Sequence, residues 1–387
     1  MPYTQVANLD FEDIKVALKD YLRSQSEFTD YDFDGSALST LIDTLAYNTY
    51  YTAFNTNMVV NELFIDSATL RDNVVAIAKQ LGYRPKSATS PTAYVSFNVT
   101  YTNPTTDTEL ILKKGTGFIA SYDNNVYQYV VIDDVKAQVI NDVATFTNVE
   151  IREGTQLVNT FTVNTSLKNQ RFILDNQNID TNTIRVKVFP TGGSFSEPYL
   201  VADNILGVDS TSKVFFLDEI EDERYEILMG DGVLGKKLEN NARIEVSYIT
   251  TAGPESNGVR TFVFSGVLEN PQGVSPNSFT TSITSTTASA GGEEIESTQK
   301  IKYTAPKAYG TQDRAVTTQD YEAIVRQVYP ATSDIIIFGG EDQVPPEYGK
   351  VFISLKPKDA SYLTSLTKQK IVADLKKYVV ASVEPKL

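Results

Sequence analysis

The chain has 387 residues, 41% of them hydrophobic and 21% charged, which is ordinary for a globular protein and long enough for two or three domains. It contains no cysteine and no histidine, which excludes disulfides, thiolate nucleophiles, imidazole-dependent triads and the usual zinc ligands. Its formal net charge of −15 argues against nucleic-acid binding. Carboxylate, lysine or tyrosine chemistry and oxygen-ligated Mg²⁺ or Ca²⁺ remain available.

The sequence has no features of membrane insertion or secretion. No apolar run approaches the roughly 18 residues that a transmembrane helix needs. The N-terminal stretch MPYTQVANLDFED has neither a basic nor an apolar signal region. We therefore expect no membrane span, and a protein made and assembled in a cytoplasm.

Residues 1–90 are predicted to form three helices. The first is capped by Asp10 and has an apolar face of Phe11, Ile14, Leu18, Tyr21 and Leu22. The second follows an acidic turn at residues 30–35 and a cap at Ser36, and one apolar stripe runs along it: Leu38, Leu41, Ile42, Leu45, Tyr47, Tyr51, Phe54 and Met58. The third begins near Ser67, buries Leu70, Val74, Ile77 and Leu81, and ends at Gly82.

The tyrosine-rich stripe of the second helix has two interpretations. It is either the core of an ordinary helical hairpin or one face of a bundle completed by other chains, because tyrosine suits both buried and intermolecular packing. If a bundle core closes around Leu45 or Tyr51, replacing either by alanine should cost about 2–4 kcal/mol.

The rest of the chain divides into three predicted regions. Residues 91–264 alternate with period two between Asn, Asp, Gly and Pro turns, which predicts an all-β domain, either a sandwich or a barrel. Residues 265–312 begin with a stretch rich in Ser, Thr and Gly, which predicts a linker or long loop. Residues 313–387 have an α-β-β-α order, with Thr317 as a cap, which indicates a ferredoxin-like unit lacking its closing strand. The predicted fold class is therefore multidomain α+β.

Two short motifs resemble ligand-binding loops. Residues 30–35 match the first half of an EF-hand calcium loop, but Leu41 stands where a bidentate carboxylate is needed, so a turn that leads into the helix is favoured. Residues 230–237, GDGVLGKK, fit a nucleotide-binding pattern that requires a following helix. A strand begins a few residues later, so Asp-Gly is read as a hairpin turn.

Acidic residues could be offered as glycosidase acids. They are Asp133, Asp134, Asp218, Glu219, Glu221, Asp222 and Glu223. Glycoside hydrolysis needs two carboxylates that face each other across a sugar, which adjacency in sequence does not show, so solvated loops are favoured. The sequence predicts no catalytic residue, no cofactor and no metal site.

Three passages carry a resemblance to a known family. The first runs from residues 32–36 through 41–51, 57–58, 61–62 and 70–72 to 81–83. The second joins residues 230–232 and Gly235 to residues 246–248 and 253–258, and the third is residues 314–321. With these passages the chain resembles the baseplate wedge subunits of T-even-like contractile-tailed bacteriophages, within the broader baseplate J-like family.

The resemblance implies a non-enzymatic virion protein of the tail baseplate, with two copies in each wedge. It implies that the N-terminal helices join a bundle with a larger wedge protein, to which a small sheath-initiating wedge protein attaches. The C-terminal unit would contact copies in neighbouring wedges through Tyr321, Ile324, Val328, Leu375 and Tyr378. The resulting ring around the hub would relay receptor engagement to sheath contraction.

One departure and one alternative remain. The T-even relatives are considerably longer, so either this member is short or a C-terminal part, with its contact between wedges, is missing. The alternative function is a tail-associated glycan-binding protein or polysaccharide hydrolase, whose mark would be paired carboxylates and aromatic side chains in a cleft of the β domain.

Overall fold

The computed structural model describes residues 7, 10–26, 33, 38–167, 170–202, 208–276, 278–311, 314–329, 332–358, 362–380 and 383–387. The chain divides into two compact units. The first contains Met1–Arg84 and Ser297–Pro306, and the second contains Pro85–Glu296 and Lys307–Leu387.

The first unit is helical, as predicted. Its helices are α1 (Phe11–Arg23), α2 (Leu38–Glu62), α3 (Arg71–Gln80) and the first part of α4 (Thr298–Thr311). The Asp10 side chain accepts hydrogen bonds from the backbone N–H groups of Glu12 and Asp13, which confirms the predicted cap of α1. Apart from Phe33, which is buried, the acidic turn at residues 30–35, with its candidate calcium loop, and the cap at Ser36 lie outside the described residues.

Helix α3 differs in part from its prediction. It begins at Arg71 rather than near Ser67, because the Glu62 carboxylate accepts hydrogen bonds from the N–H groups of Thr69 and Leu70 and holds them in a turn. Leu70 is therefore exposed rather than buried, and the buried face consists of Val74, Val75 and Ala78. The predicted stop at Gly82 is confirmed by its φ of +78°.

Sixteen strands follow in chain order in the second unit. They are β1 (Thr92–Tyr101), β2 (Glu109–Leu112), β3 (Gly117–Tyr122), β4 (Asn125–Val130), β5 (Val135–Ile140), β6 (Val143–Glu153), β7 (Thr155–Thr162), β8 (Phe172–Leu174), β9 (Ile179–Phe189), β10 (Glu197–Val201), β11 (Val214–Glu219), β12 (Tyr225–Met229), β13 (Arg243–Thr250), β14 (Val263–Phe264), β15 (Leu268–Glu269) and β16 (Phe279–Thr286).

These strands form two sheets, and each surrounds a core of its own. The nine-stranded sheet has the order β14-β3-β4-β6-β5-β2-β15, with β1 between β6 and β16. The seven-stranded sheet has the order β7-β13-β9-β10-β11-β12-β8. Each buried cluster comes from the strands of one sheet and the segments next to them, so the predicted single β domain contains two cores.

The region predicted as a linker or long loop is structured. Strand β16 pairs antiparallel with β1 along its whole length, and helix α4 begins at Thr298. Phe279 and Ile283 pack against the core of the nine-stranded sheet, while the Ser and Thr residues between them face outwards. The Ser/Thr-rich composition was misleading because Thr is β-branched and suits the exposed face of an edge strand.

The C-terminal region forms a third small sheet. Helix α5 (Thr318–Val328) is followed by β17 (Thr332–Gly339), β18 (Lys350–Pro357), α6 (Ser365–Leu375) and β19 (Glu384–Lys386). Thr317 caps α5 in a capping box with Asp320, as predicted. The expectation of a missing last strand is wrong, since β19 pairs parallel with β18. A strand of only three residues, Glu-Pro-Lys, has no alternating signal in the sequence.

Candidate partner-binding surface

Helix α2 buries mainly alanine and asparagine and exposes most of its large apolar residues. Its buried positions are Ile42, Ala46, Ala53, Asn57 and Asn61, which fall on one face at about 100° per residue. The Asn57 side chain accepts from the N–H of Ala7 and donates to its carbonyl, both at 2.9 Å. The amide group of Asn57 on this face is therefore hydrogen-bonded within the chain.

The large apolar residues of α2 lie on two exposed stripes. The first stripe has the spacing four, three and four, and consists of Tyr47, Tyr51, Phe54 and Met58, between 43% and 58% exposed. The rings of Tyr47 and Tyr51 are 5.5 Å apart. The second stripe consists of Leu41, Leu45 and Val59, continued by Leu63 directly after the helix, and these residues are between 55% and 65% exposed. We call these the tyrosine stripe and the leucine stripe.

A polar strip with Thr44, Asn48 and Asn55 separates the two stripes. The prediction of one continuous stripe is therefore wrong in detail. The midpoint of residues 41 and 45 lies about 120° around the helix from the midpoint of residues 47 and 51. Leu38 is only half-buried at the start of the helix.

Helix α1 lies beside α2 and contributes fewer exposed apolar groups. The Lys15 ammonium is 2.6 Å from the Asp43 carboxylate of α2. Four of the predicted interface residues are half-buried: Phe11, Ile14, Leu18 and Leu22. The fifth, Tyr21, is exposed, as is Val16, which the sequence reasoning did not select.

The predicted C-terminal interface is largely a core. Tyr321, Ile324 and Leu375 are at most 2% exposed and belong to the buried cluster of the small sheet. Their assignment to a surface for a neighbouring copy is wrong, because the apolar faces of α5 and α6 cover the sheet of their own chain. Val328 and Tyr378 are partly buried against the same cluster.

The glycine-rich loop at residues 230–237 is a turn closed by its own backbone. The Asp231 carboxylate accepts from the N–H groups of Val233 and Leu234, both at 2.8 Å, and the Gly232 N–H donates to the Gly235 carbonyl. The next regular element is strand β13, so the helix that a phosphate site needs does not follow. The hairpin interpretation is also wrong, because β12 and β13 do not pair with each other in the sheet.

The candidate glycosidase acids are placed on strands and turns. Asp134 is 2.9 Å from the Lys113 ammonium, and Asp133 is 3.8 Å from Arg185. Asp218 and Glu219 lie on β11, and Glu221–Glu223 form a 3-10 turn. In the part of the chain that the structure describes, no group of three or more acidic side chains is placed to hold a metal ion.

A buried charge cluster was missed by the sequence reasoning. Arg152 on β6 contacts Glu150 at 2.9 Å and Asp180 of β9 at 3.2 Å, and Lys370 of α6 is 3.5 Å from Glu150. Burial by itself lowers the pKa of the Arg152 guanidinium, but the charges of Asp180 and Glu150 outweigh it and raise the pKa. The sequence signal for this cluster is weak: three charged residues stand at the end of β6, at positions 150, 152 and 153.

Comparison with known families gives three separate matches. Residues 10–83 match "Baseplate wedge protein gp6-like, helical domain". Residues 158–262 match "Bacteriophage baseplate wedge protein gp6, third domain". Residues 317–387 match "Baseplate structural protein gp6, C-terminal domain I".

Two further comparisons give one similar protein and one solved structure. The baseplate wedge protein gp6 of Enterobacteria phage T4 is 29% identical over 395 residues, covering 97% of this chain and 58% of the T4 protein. The anti-feeding prophage baseplate, solved by cryo-EM, matches 99% of this chain and 80% of its own at 14% identity, but a TM-score of 0.28 does not establish a shared fold. No helix in the described ranges is long and apolar enough to cross a membrane. The three family matches and the T4 relative support a baseplate wedge protein.

Proposed function

We propose that the chain is a structural subunit of the wedge in a contractile phage tail baseplate and performs no catalysis. The domain matches and the T4 relative support this role, although the chain spans a little over half of that relative. We also propose that the chain belongs to the wider baseplate J-like family, is located in the virion tail and is assembled in the host cytoplasm. The proposal also includes a helical region to residue 90 and a ferredoxin-like C-terminal unit from residue 313.

The observation that carries the proposal is the exposure of both apolar stripes of α2. A long helix of a self-contained domain usually exposes its polar side and buries its large apolar residues. Here Ala46 and Ala53 face inwards while tyrosine and leucine face outwards. Burying one large apolar side chain contributes about 1.5–3 kcal/mol, so two stripes of four residues offer substantial binding energy.

Two stripes on opposite sides of a polar strip suit two neighbouring helices rather than one. We propose that one stripe packs against the second copy of this chain in the wedge. The other would pack against the larger wedge protein of the core bundle, and the small sheath-initiating wedge protein would attach to the completed bundle. This arrangement would place two copies in each wedge and close a ring of wedges around the hub, which relays receptor engagement to sheath contraction.

A contact with copies in neighbouring wedges would have to use the exposed face of the C-terminal region. Ile336 on β17 and Tyr348 in the following loop are 65% and 79% exposed. Val328 and Tyr378, which are only partly buried, stay within the proposed contact.

Co-expression of the full chain with the two other wedge proteins of the same phage tests the bundle. We expect Leu45→Ala and Tyr51→Ala each to reduce recovery of the complex in an affinity pull-down. The matched control is Asn48→Ala on the polar strip, which should leave recovery unchanged. Light scattering of the chain alone reports whether the second copy binds without the other components.

Unchanged recovery with both Leu45→Ala and Tyr51→Ala would remove α2 from the interface and overturn the proposal. A glycan array and a hydrolysis assay on host envelope polysaccharide address the alternative of a glycan-binding protein or hydrolase. Activity lost on replacing a specific pair of Asp or Glu residues would favour that alternative.

A further inference from the structure

The C-terminal region, residues 314–387, has a hydrophobic core of its own. Every buried and partly buried member of that core comes from residues 315–387. The two cores of the sheets draw all their members from residues 93–283. Tyr329 approaches the sheet side at Gly291, where an added Cβ would be 3.8 Å from its ring. No apolar cluster of the described side chains joins the C-terminal region to the sheets, although both belong to the same compact unit.

Lys86 joins the two parts through the end of a helix. Its ammonium donates hydrogen bonds to the carbonyls of Arg326 and Gln327, at 2.6 and 2.5 Å, in the last turn of α5. Carbonyls at the C-terminal end of a helix have no partner within it, and the helix dipole favours a positive charge there. The backbone of Lys86 is fixed to the segment that follows β16. Its N–H donates to the Glu296 carboxylate at 3.1 Å, and its carbonyl accepts from the Glu296 N–H at 3.0 Å.

Two further lysines cross the same junction as ion pairs. Lys370 of α6 is 3.5 Å from Glu150 of β6, and Lys358, after β18, is 4.0 Å from Glu293. The side chains of these two lysines are 50% and 62% exposed. Dissolved salt therefore screens both pairs and weakens their attraction.

We propose that these three lysines form an electrostatic latch, and that the C-terminal region swings away from the sheets as a rigid body when the latch opens. A small polar junction between separately packed cores permits such motion, because opening it exposes little apolar surface. Each core stays buried in both positions. The inference rests on this junction alone and is independent of a role in a baseplate.

The absence of cysteine makes a direct measurement possible. Ser282→Cys on β16 and Ser365→Cys at the start of α6, both at exposed positions, carry spin labels on the two sides of the junction in the full chain. Double electron–electron resonance measures the distribution of distances between the labels. The control pair, Thr160→Cys with Ser282→Cys, spans the two sheets. Those sheets are joined by the buried Arg152–Asp180 pair, which salt screens much less.

We expect one narrow distribution for the labels at positions 282 and 365 at about 0.05 M salt, and a second, displaced population at about 0.5 M salt. Lys86→Met at the lower salt concentration should raise the ratio of displaced to docked molecules about tenfold or more, because two hydrogen bonds from a charged group are lost. The matched control is Lys302→Met, which removes a lysine that donates to the Asp66 carbonyl within the helical unit. It should leave the distribution unchanged.

A distribution that stays the same both at high salt and in Lys86→Met would overturn the proposal, because packing rather than charge would then hold the C-terminal region in place. An equal change in the control pair would also overturn it, since the whole unit would then be loosening. Circular dichroism verifies that Lys86→Met is folded. The salt series, in which Lys86 is retained, tests the latch independently of the folding of that variant.

Discussion

Arg152 on β6 and Asp180 on β9 form a buried ion pair that joins the nine-stranded sheet to the seven-stranded sheet, with Nη1 and Oδ2 3.2 Å apart. The Asp180 carboxylate also accepts hydrogen bonds from the N–H and hydroxyl of Ser90. One buried carboxylate thus fixes two sheets and the segment that leads into β1.

Replacing Asp180 by Asn should lower the free energy of unfolding by about 3 kcal/mol. Removing one partner of a buried ion pair leaves the other charge uncompensated, which typically costs about 3–5 kcal/mol. Glu150 still contacts Arg152, so we expect the lower end of that range. Denaturant unfolding measures the change.

The control for Asp180→Asn is Glu109→Gln, which removes the same charge from a pair with the exposed Lys136. Such a pair contributes about 0–1 kcal/mol. Equal losses for the two variants would contradict a structural role for the buried pair.

The two sides of α2 should respond differently to truncation in the isolated chain. Ile42 is 1% exposed, so Ile42→Ala should cost about 2–4 kcal/mol of stability. Tyr51 is 52% exposed, so Tyr51→Ala should change stability by no more than about 0.5 kcal/mol. The larger value expected from sequence for Tyr51 and Leu45 would apply only inside an assembled bundle. Thermal unfolding of the chain alone separates these cases, and a large loss for Tyr51→Ala would mean that the chain itself buries this residue.

The junction of α2 and α3 should be sensitive to acid. Burial raises the pKa of the Glu62 carboxyl, but hydrogen bonds from Thr69, Asn73 and the Leu70 N–H outweigh it and lower the pKa from 4.5 to about 2. A carboxyl whose pKa is lower in the folded state than in the unfolded state stabilises the protein when the pH is above the unfolded-state pKa. That contribution is lost as the pH falls through the folded-state pKa.

Glu62→Gln should therefore be less stable than the parent chain above about pH 5, and the difference should shrink as the pH falls towards 2. Melting temperatures of both proteins across this range give the comparison. Glu322→Gln, in an exposed ion pair with Arg326, serves as the control and should change stability little. A Glu62→Gln difference that stays constant with pH would contradict the role of the ionised carboxylate.

The sequence predicted local features well and non-local ones poorly. The N-terminal caps of α1 and α5 were predicted correctly because Asp10 and Thr317 bond to residues two or three positions away. The pairing of β16 with β1 joins residues nearly 200 positions apart, and composition alone could not indicate it. The Arg152–Asp180 pair likewise depends on how two sheets meet.

The surface of α2 was predicted less well than the helix caps but better than the strand pairing. The sequence selected most of its exposed apolar residues but missed Val59 and Leu63, and it included Ile42, which is buried. It could not say which side of the helix the chain itself covers. That depends on the small residues Ala46 and Ala53, which look unremarkable in sequence yet form the inward face. The hydrophobic pattern therefore indicated a helix that packs against other elements, but it did not indicate which of its faces packs within the chain.

Gly154, between β6 and β7, should not tolerate a side chain. Its φ of +125° lies in a region that L residues rarely adopt. A Cβ at this position would lie 2.3 Å from the Thr250 carbonyl oxygen, which belongs to the neighbouring strand β13 and cannot move alone. Gly154→Ala should therefore lose about 3 kcal/mol or more through strain and disruption of the strand pairing.

The control for Gly154→Ala is Gly192→Ala, where φ is +73° and no atom lies within 4 Å of the added Cβ. That variant has only the backbone cost of the left-handed region, about 1–2 kcal/mol. Denaturant unfolding of both variants separates steric clash from backbone strain. Equal losses would show that the close approach of Thr250 contributes nothing, whereas a larger loss for Gly154→Ala would identify this junction as a point where the chain requires glycine for space as well as for conformation.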